Sequence, residues 1–170
     1  MTRPSDIPQN YTVGVSVHPT DEFTFAFDVQ QINYSNTESI GNPMLLNLMT
    51  AHLGDDNGAG FGWRDVTAYK FGVQYVMGPA VTVRAGYAYA RQPIPDSEVL
   101  FNILAPGVVE QHAALGFSVK TSDKSTLHGA IVRAFPKSVT GANPLEVPGK
   151  QSITLKMDQW LFDFGLSFGF

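Results

Sequence analysis

Apolar and small polar residues alternate along most of this chain with a period of two. Between 66 and 77 every second residue from Tyr69 onward is apolar, while Lys70, Gly72 and Gln74 stand between them. Such alternation gives a β-strand one apolar face and one polar face. The same pattern recurs along the chain. We predict an all-β protein with seven strands, over 11–18, 22–34, 66–77, 81–92, 108–120, 125–136 and 153–170.

The break at Gly78-Pro79-Ala80 fixes how two of these strands pair. A turn centred on Pro79 places Tyr69 opposite Tyr89 and Phe71 opposite Tyr87. Aromatic pairs on one face stabilise antiparallel strands. The sequence therefore predicts an antiparallel hairpin here.

The connections between the predicted strands alternate between short and long. Tight turns fall at 18–21, 78–80 and 121–124. The long connections are 35–65, 93–107 and 137–152. Short turns at one end of the strands and long loops at the other are typical of outer-membrane barrels.

Composition excludes several classes of protein. Of the 170 residues 15% are charged, against roughly 25% in a typical soluble domain. The net charge of −4 without a cluster of Lys and Arg argues against a nucleic-acid partner. Without cysteine there is no disulfide and no thiolate site. No apolar run approaches the roughly 18 residues of a transmembrane helix, and no signal peptide is visible after Met1.

The two faces distinguish a membrane barrel from a soluble β-sandwich. A soluble sandwich also alternates, but its surface carries many charges. Here the polar face consists mainly of Gly, Ala, Ser, Thr and Gln, and the other face is rich in aromatic residues. Small residues suit a barrel interior, and an aromatic outer face suits lipid. We therefore favour an antiparallel transmembrane β-barrel.

Seven strands leave two bare edges, and single-chain bacterial barrels have even strand numbers. The chain is expected to form part of a barrel.

Several motifs in a fixed order resemble one family over about residues 8–170. The strongest stretches are Phe25-Ala26-Phe27-Asp28-Val29-Gln30 with Ile32-Asn33-Tyr34-Ser35, Gly60-Phe61-Gly62-Trp63-Arg64-Asp65, Val83-Arg84-Ala85-Gly86-Tyr87-Ala88-Tyr89, Pro93-Ile94-Pro95-Asp96-Ser97, and Phe101-Asn102-Ile103-Leu104-Ala105-Pro106-Gly107-Val108-Val109-Glu110. Together they resemble the C-terminal half of the FadL/TodX (OmpP1) family of outer-membrane transport proteins.

This resemblance implies a barrel of about 14 strands plugged by an N-terminal hatch. Residues 1–170 would be its C-terminal half and supply the last seven strands, with the signal peptide, hatch and N-terminal strands absent. The tight turns would be periplasmic and the long loops extracellular. The implied function is passive uptake of hydrophobic molecules, most plausibly long-chain fatty acids, with aromatic hydrocarbons as the alternative. The implied setting is the outer membrane of a Gram-negative cell, with membrane lipid and the barrel assembly machinery as partners and a monomer at full length.

The last strand carries a pattern that resembles the assembly signal of outer-membrane barrels. In that signal a polar residue, a glycine and two aromatic residues stand at fixed spacing before the terminus. The matching residues here are Asp163, Gly165, Phe168 and Phe170. The alternative is an ordinary amphipathic strand, since aromatic residues recur there at period two.

Residues 42–54 interrupt the strand pattern and predict a short apolar helix. Asn42 suits an N-cap, Pro43 the first helical position and Gly54 the position after the C-cap. The apolar residues between them are Leu45, Leu46, Leu48, Met49 and Leu53. They would form either a landing site for an acyl chain or a helix packed on other loops. The same two readings apply to Phe101, Ile103 and Leu104 in the next long loop.

Two cations are candidates for binding a ligand carboxylate. Lys70 and Arg84 share the polar face, where a cation in a narrow lumen could pair with a fatty acid. The alternative is a lumenal network in which they pair with Asp28, Glu110 or Asp163.

No cofactor or metal site is predicted. Asp55-Asp56-Asn57-Gly58 lacks the rest of a calcium loop and is interpreted as a polar loop tip. The spacing of His18, His52, His112 and His128 forms no metal site; in the fifth hairpin His112 and His128 fall out of register by about five residues.

Two other function classes compete with passive transport. A barrel hydrolase would need a Ser–His pair and an orienting group on one face. Ser118 and His112 share a face but lie six residues, or about 20 Å, apart. We therefore expect no enzymatic activity. A small structural or adhesive barrel, complete in itself, is opposed by the odd strand number.

Overall fold

The computed structural model describes residues 7–53, 55–147 and 150–169, with all their side chains except that of Leu46. Seven antiparallel strands form one sheet in chain order, so each strand pairs with its sequence neighbours. The prediction of seven antiparallel strands is confirmed. Their bounds are β1 (Gln9–Val17), β2 (Phe23–Asn33), β3 (Val66–Met77), β4 (Val81–Ala90), β5 (Gln111–Ser122), β6 (Ser125–Ala142) and β7 (Ser152–Phe168).

The register separates the side chains as the sequence pattern requires. Tyr69 pairs with Tyr89 and Phe71 with Tyr87, as predicted. Their face, here called the apolar face, continues across all seven strands, and its large side chains are mostly exposed in the described chain. The opposite, polar face carries Lys70 and Arg84 among small residues. The sheet therefore has no packed core between two layers within the described residues.

The hairpin of β6 and β7 is longer than predicted. We expected β6 to end near residue 136 and a loop over 137–152, but β6 continues to Ala142 and the loop shortens to 143–151. The reason is a bulge between Ala134 and Lys137, where β6 holds one extra residue against β7. Before the bulge the even-numbered residues of β6 lie on the polar face, and beyond it the odd-numbered residues do. The alternation in the sequence of β6 is therefore broken at the bulge, although pairing with β7 resumes at Lys137.

The single helix predicted over 42–54 is wrong. The structure has two four-residue helices, α1 (Glu38–Gly41) and α2 (Leu45–Leu48). Asn42 follows α1 instead of capping α2, and its side-chain amide donates to the backbone oxygens of Asp56 and Gly58. That tertiary bond removes the predicted cap. Gly54, the predicted C-terminal position, lies outside the described residues.

Short 3₁₀ turns complete the long loops, at Tyr34–Asn36, Asp96–Glu98 and Phe101–Ile103. No helix in the described ranges is long and apolar enough to cross a membrane.

The buried core of the molecule lies where the loop over 91–110 folds onto the ends of β6 and β7 that adjoin the loop over 143–151. Ile94, Val99 and Val108 of this loop are almost fully buried against Leu155 of β7. Around them pack Trp63, Val139, Ile153 and Met157. Residues 155, 153 and 157 share their face of β7 with Asp163 and Gly165, so the loop covers the end of the polar face. No described residue covers the apolar face in the same way, and most of its large side chains are exposed.

Gly141 in β6 permits a close approach between this loop and the sheet. A Cβ atom there would collide with the backbone oxygen of Asp96 and would come within 3.0 Å of a Val99 methyl group. By contrast, a Cβ on Gly72 would find no atom nearer than 4.0 Å. The two glycines thus differ in whether a side chain fits.

We expect Gly141→Val to displace the loop over 91–110 and to lower the free energy of unfolding by about 1–3 kcal/mol, as overpacking does. Denaturant unfolding of the complete barrel protein measures the loss, and limited proteolysis reports whether the loop is freed. Gly72→Ala is the matched control and should change the unfolding midpoint much less. Equal stability of the two variants would contradict the close approach.

Candidate ligand-capture site

The two long loops over 34–65 and 91–110 are joined by a buried asparagine. The side-chain nitrogen of Asn102 donates to the backbone oxygens of Phe61 (2.7 Å) and Glu98 (2.9 Å). Its side-chain oxygen accepts a hydrogen bond from the indole Nε1 of Trp63 at 2.6 Å. Asn102 is fully buried, and all its side-chain polar atoms have partners. This residue holds the loops as one module over the sheet.

A cluster of aromatic rings surrounds this joint. Phe61 stacks on Phe101 with ring centroids 5.0 Å apart. Trp63 meets the edge of Tyr34 at 5.0 Å and lies 6.3 Å from Phe61. Burial raises the pKa of the Tyr34 phenol, so this ring stays uncharged at neutral pH. The cluster is therefore an apolar, neutral element within the loop module.

A second contact joins the module at α2. The Glu98 carboxylate accepts a hydrogen bond from the backbone nitrogen of Met44 at 3.0 Å, and Met44 is buried. Because Met44 immediately precedes α2, this bond fixes the start of the helix relative to the other loop.

The predicted ligand-contact residues of the loops are mainly exposed. Leu45 and Leu48 are partly exposed, Met49 is 84% exposed and Leu104 is 74% exposed. Phe101 is half-buried because it stacks on Phe61. The side chain of Leu46 lies outside the described residues. Two loops held together by Asn102 and Glu98 thus present apolar side chains to the exterior.

A depression of about 410 Å³ lies beside α2. Leu48 and Met49 line one part of it, and His52, Asp55 and Asn57 line another. Its mixed lining distinguishes it from a purely apolar pocket. Among the described residues, no group of three or more His, Asp or Glu side chains could hold a metal ion.

Lys70 and Arg84 have neutral partners in the structure. Lys70 Nζ donates to Gln30 Oε1 at 2.7 Å. Arg84 donates from Nε to Gln74 Oε1 at 2.8 Å and from Nη1 to Ser118 Oγ at 2.7 Å.

The alternative network of Lys70 and Arg84 with acidic groups is not what the structure has. Within the described ranges the ion pairs are Arg133 with Asp158 and Lys137 with Glu110, at 2.8 and 2.6 Å. Asp28 and Asp163 form no ion pair there. Asp28 lies directly opposite Lys70 in the register of β2 and β3, but the hydrogen-bond partners of Lys70 and Arg84 are neutral side chains.

Sequence reasoning missed a serine–histidine contact on the polar face. Ser118 Oγ lies 2.9 Å from His128 Nδ1, and His128 Nε2 lies 3.0 Å from Ser167 Oγ. His112, the histidine considered from the sequence, pairs instead with Ala134, six residues along β5 from Ser118. The contact was missed because it depends on the β5–β6 register. With Arg84 and Gln74 it completes a hydrogen-bonded belt across β3–β7.

The residues of the predicted assembly signal lie in β7 as far as they are described. Asp163 pairs with Ala130, Gly165 with His128 and Phe168 with Ser125. Phe168 belongs to the exposed apolar face, and Phe170 lies outside the described residues. Their part in assembly stays a prediction.

Comparison with known proteins bears on both fold and family. In structure the chain is similar to the "TodX monoaromatic hydrocarbon channel deltaS2 mutant", with a TM-score of 0.64 and 19% identity over 96% of this chain and 36% of that one. It is also similar to the "TodX deltaS2S3 mutant monoaromatic hydrocarbon channel", with a TM-score of 0.61 and 18% identity over 95% of this chain and 35% of that one. The chain therefore spans about a third of their length, and the likeness shows the fold of a β-barrel wall.

Among individually curated proteins no significant sequence match was found. The family profile described as outer membrane protein transport protein (OMPP1/FadL/TodX) matches residues 5–170, almost the whole chain. The chain belongs to the OMPP1/FadL/TodX family of outer-membrane transport proteins.

Proposed function

We propose that this chain forms part of the wall and mouth of an outer-membrane channel for passive uptake of hydrophobic molecules. On this proposal residues 1–170 supply the C-terminal seven strands of a longer, monomeric barrel that crosses the membrane repeatedly. The family and the uncovered apolar face support it. Membrane lipid covers the apolar face, and the barrel assembly machinery recognises the last strand through Asp163, Gly165, Phe168 and Phe170.

The observation that carries the proposal is the apolar surface of the loop module. Leu45, Leu48, Met49 and Leu104 are exposed although each would gain about 0.8 kcal/mol per CH₂ group from burial. The buried joint at Asn102 holds these loops in place without using those side chains. A surface of this kind suits the first capture of an apolar molecule from water.

Long-chain fatty acids are the proposed substrate. The supporting feature is the pair of cations, Lys70 and Arg84, whose hydrogen-bond partners are neutral. A carboxylate that arrives in the lumen would replace these neutral partners and form charge-assisted hydrogen bonds. Aromatic hydrocarbons are the alternative, since two structural neighbours are named as monoaromatic hydrocarbon channels.

We propose that no covalent chemistry accompanies transport. The Ser118–His128 contact resembles a nucleophile and its base. However, His128 is oriented by the Ser167 hydroxyl instead of a carboxylate, and Ser118 is only 9% exposed. Covalent labelling of Ser118 by a fluorophosphonate would contradict this view.

The capture surface is tested by replacing Leu45, Leu46 and Leu48 with Ser in the complete protein. Because the ligand loses apolar contact, we expect uptake of a labelled fatty acid at low concentration to fall about tenfold, which corresponds to about 1.4 kcal/mol. Barrel assembly, read from heat-dependent gel mobility, should not change.

Leu145 and Val147 provide the matched control. They are exposed apolar residues in the loop between β6 and β7. Their replacement by Ser should leave uptake intact. Unchanged uptake in the triple variant would refute the capture surface.

Substrate class is tested by the double variant Lys70→Gln and Arg84→Gln. Loss of charge-assisted hydrogen bonds of about 1.5–3 kcal/mol should weaken fatty-acid binding by roughly tenfold or more, while toluene uptake should stay the same. Parallel uptake assays with oleate and toluene measure the difference. Equal loss for both substrates, or none for oleate, would favour the aromatic alternative. Lys124→Gln, in the tight turn between β5 and β6 and outside the strands, is the charge control.

The proposal that these residues are part of a longer barrel has its own test. The chain expressed alone should aggregate or be degraded, because β1 and β7 have unpaired edges in the described sheet. Refolding in detergent, followed by a vesicle leakage assay, measures closure. A sealed, ligand-permeable barrel from this chain alone would support the alternative of a small, complete barrel.

A further inference from the structure

A charged cluster interrupts the apolar face on the β6–β7 hairpin. Arg133 forms an ion pair with Asp158 at 2.8 Å, and its guanidinium lies 4.9 Å from the ring centroid of Trp160. A further bond from Arg133 Nη1 reaches the backbone oxygen of Gln159 at 3.2 Å. Three contacts, with Asp158, Trp160 and the backbone of Gln159, therefore fix the position of the Arg133 guanidinium.

The cluster lies at the end of an apolar band. Leu127 pairs with Leu166 near the tight turn, and Arg133 pairs with Trp160 six residues further along β6. From Ser125, which pairs with Phe168 beside the tight turn, to Arg133 there are nine residues, and a tilted strand crosses the hydrocarbon layer with about 9–11 residues. Arg133 and Trp160 thus stand at the boundary towards the long loops, where aromatic residues meet lipid headgroups.

A groove opens in the apolar band just below this cluster. It encloses about 230 Å³ and is lined by Leu115, Phe117, Ile131, Phe162 and Phe164. Gly129, between Phe117 and Phe164 on the neighbouring strands, also lines it and lets the Phe117 ring lie close over the backbone of β6. The volume is below the roughly 300–1,000 Å³ of small-molecule pockets, so it suits one segment of an acyl chain.

A second cation extends the cluster away from the groove. Lys156 stands two residues from Asp158 on the same face of β7 and is exposed. It forms no ion pair within the described ranges. On the apolar face of the described strands, Arg133 and Lys156 are the only cations, and Asp158 balances one of them. The local charge is therefore positive.

We propose that this face holds one phosphate-bearing membrane lipid, with an acyl segment in the groove and the phosphate at Arg133 and Lys156. The inference rests on the proposed membrane location of the barrel. Charge complementarity selects the occupant, since a phosphate neutralises the excess positive charge and a guanidinium binds its oxygens in a fixed geometry. The groove alone would accept any apolar chain, and the cations give it preference for an anionic lipid.

Native mass spectrometry of the complete, detergent-purified barrel tests the proposal. Phosphatidylglycerol is titrated against a neutral galactosyl diacylglycerol with the same chains. We expect tighter binding of phosphatidylglycerol, and a loss of about fivefold for Lys156→Gln, the effect of one basic residue near a membrane surface. The double variant Arg133→Gln and Asp158→Asn should also weaken binding, without leaving an unpaired carboxylate.

The groove is tested by Leu115→Trp, which enlarges a lining side chain. Leu115 is 63% exposed, so a larger ring there need not disturb the sheet. We expect weaker phosphatidylglycerol binding. The controls are Phe71→Trp, elsewhere on the apolar face, and Lys124→Gln, at the opposite end of the sheet; both should bind as the unaltered protein does.

Two results would overturn the proposal. One is equal affinity of the folded, unaltered barrel for both lipids, and the other is unchanged binding in the charge variants or in Leu115→Trp. Heat-dependent gel mobility of the same samples separates these results from failure of the proposed function. A protein that never forms a heat-modifiable barrel in lipid would refute the membrane location itself.

Discussion

A backbone that crosses a hydrocarbon layer must satisfy its own amide and carbonyl groups, because lipid offers no hydrogen-bond partner. Except at the outer edges of β1 and β7, the seven strands do so through six antiparallel ladders, two of which contain a bulge. The ladders in turn fix which side chains face outward, since a shift of one residue would reverse both faces. Every other feature of the molecule depends on that register, from the aromatic outer face to the polar belt that ends at Ser167.

The polar face of the β6–β7 hairpin changes in character along its length, from polar and small residues near the tight turn to packed apolar residues near the long loops. Near the tight turn its polar face carries His128 and Asp163 beside small residues. Beyond the bulge at Ala134 and Lys137, Val139 and Leu155 on the same side support the buried core of the loops. The extra residue of β6 thus brings Val139 to the side of the sheet on which Leu155 lies. The Lys137–Glu110 ion pair lies at this transition and joins the loop to the strand.

Local pattern was sufficient for the strands and for one register. The pairs Tyr69–Tyr89 and Phe71–Tyr87 follow from a turn residue and simple counting, because a tight hairpin leaves little freedom. The extension of β6 was hidden by the bulge, and the helix over 42–54 was lost to a tertiary hydrogen bond of Asn42. Neither effect has a local signal in the sequence.

The apolar loop residues of the candidate site were proposed from the sequence, but the contacts that join the two loops were not. Leu45, Leu48, Met49 and Leu104 were recognised by composition, and the structure leaves them exposed. Asn102 was not singled out, although it makes the bonds that join the loops, because a buried asparagine is recognised only by its partners. The Ser118–His128 contact depends in the same way on pairing between strands.

The odd number of strands has a consequence for assembly. Because every neighbouring pair is antiparallel, β1 and β7 point in the same direction. If two copies were related by rotation about the barrel axis, β7 of one copy would lie beside β1 of the other. These two strands would be parallel, whereas every pair of neighbouring strands within a copy is antiparallel. An entirely antiparallel closed wall requires a complement with an odd number of strands that begins and ends in the opposite direction. Direction alone thus excludes a rotationally symmetric pair of these sheets as an all-antiparallel barrel.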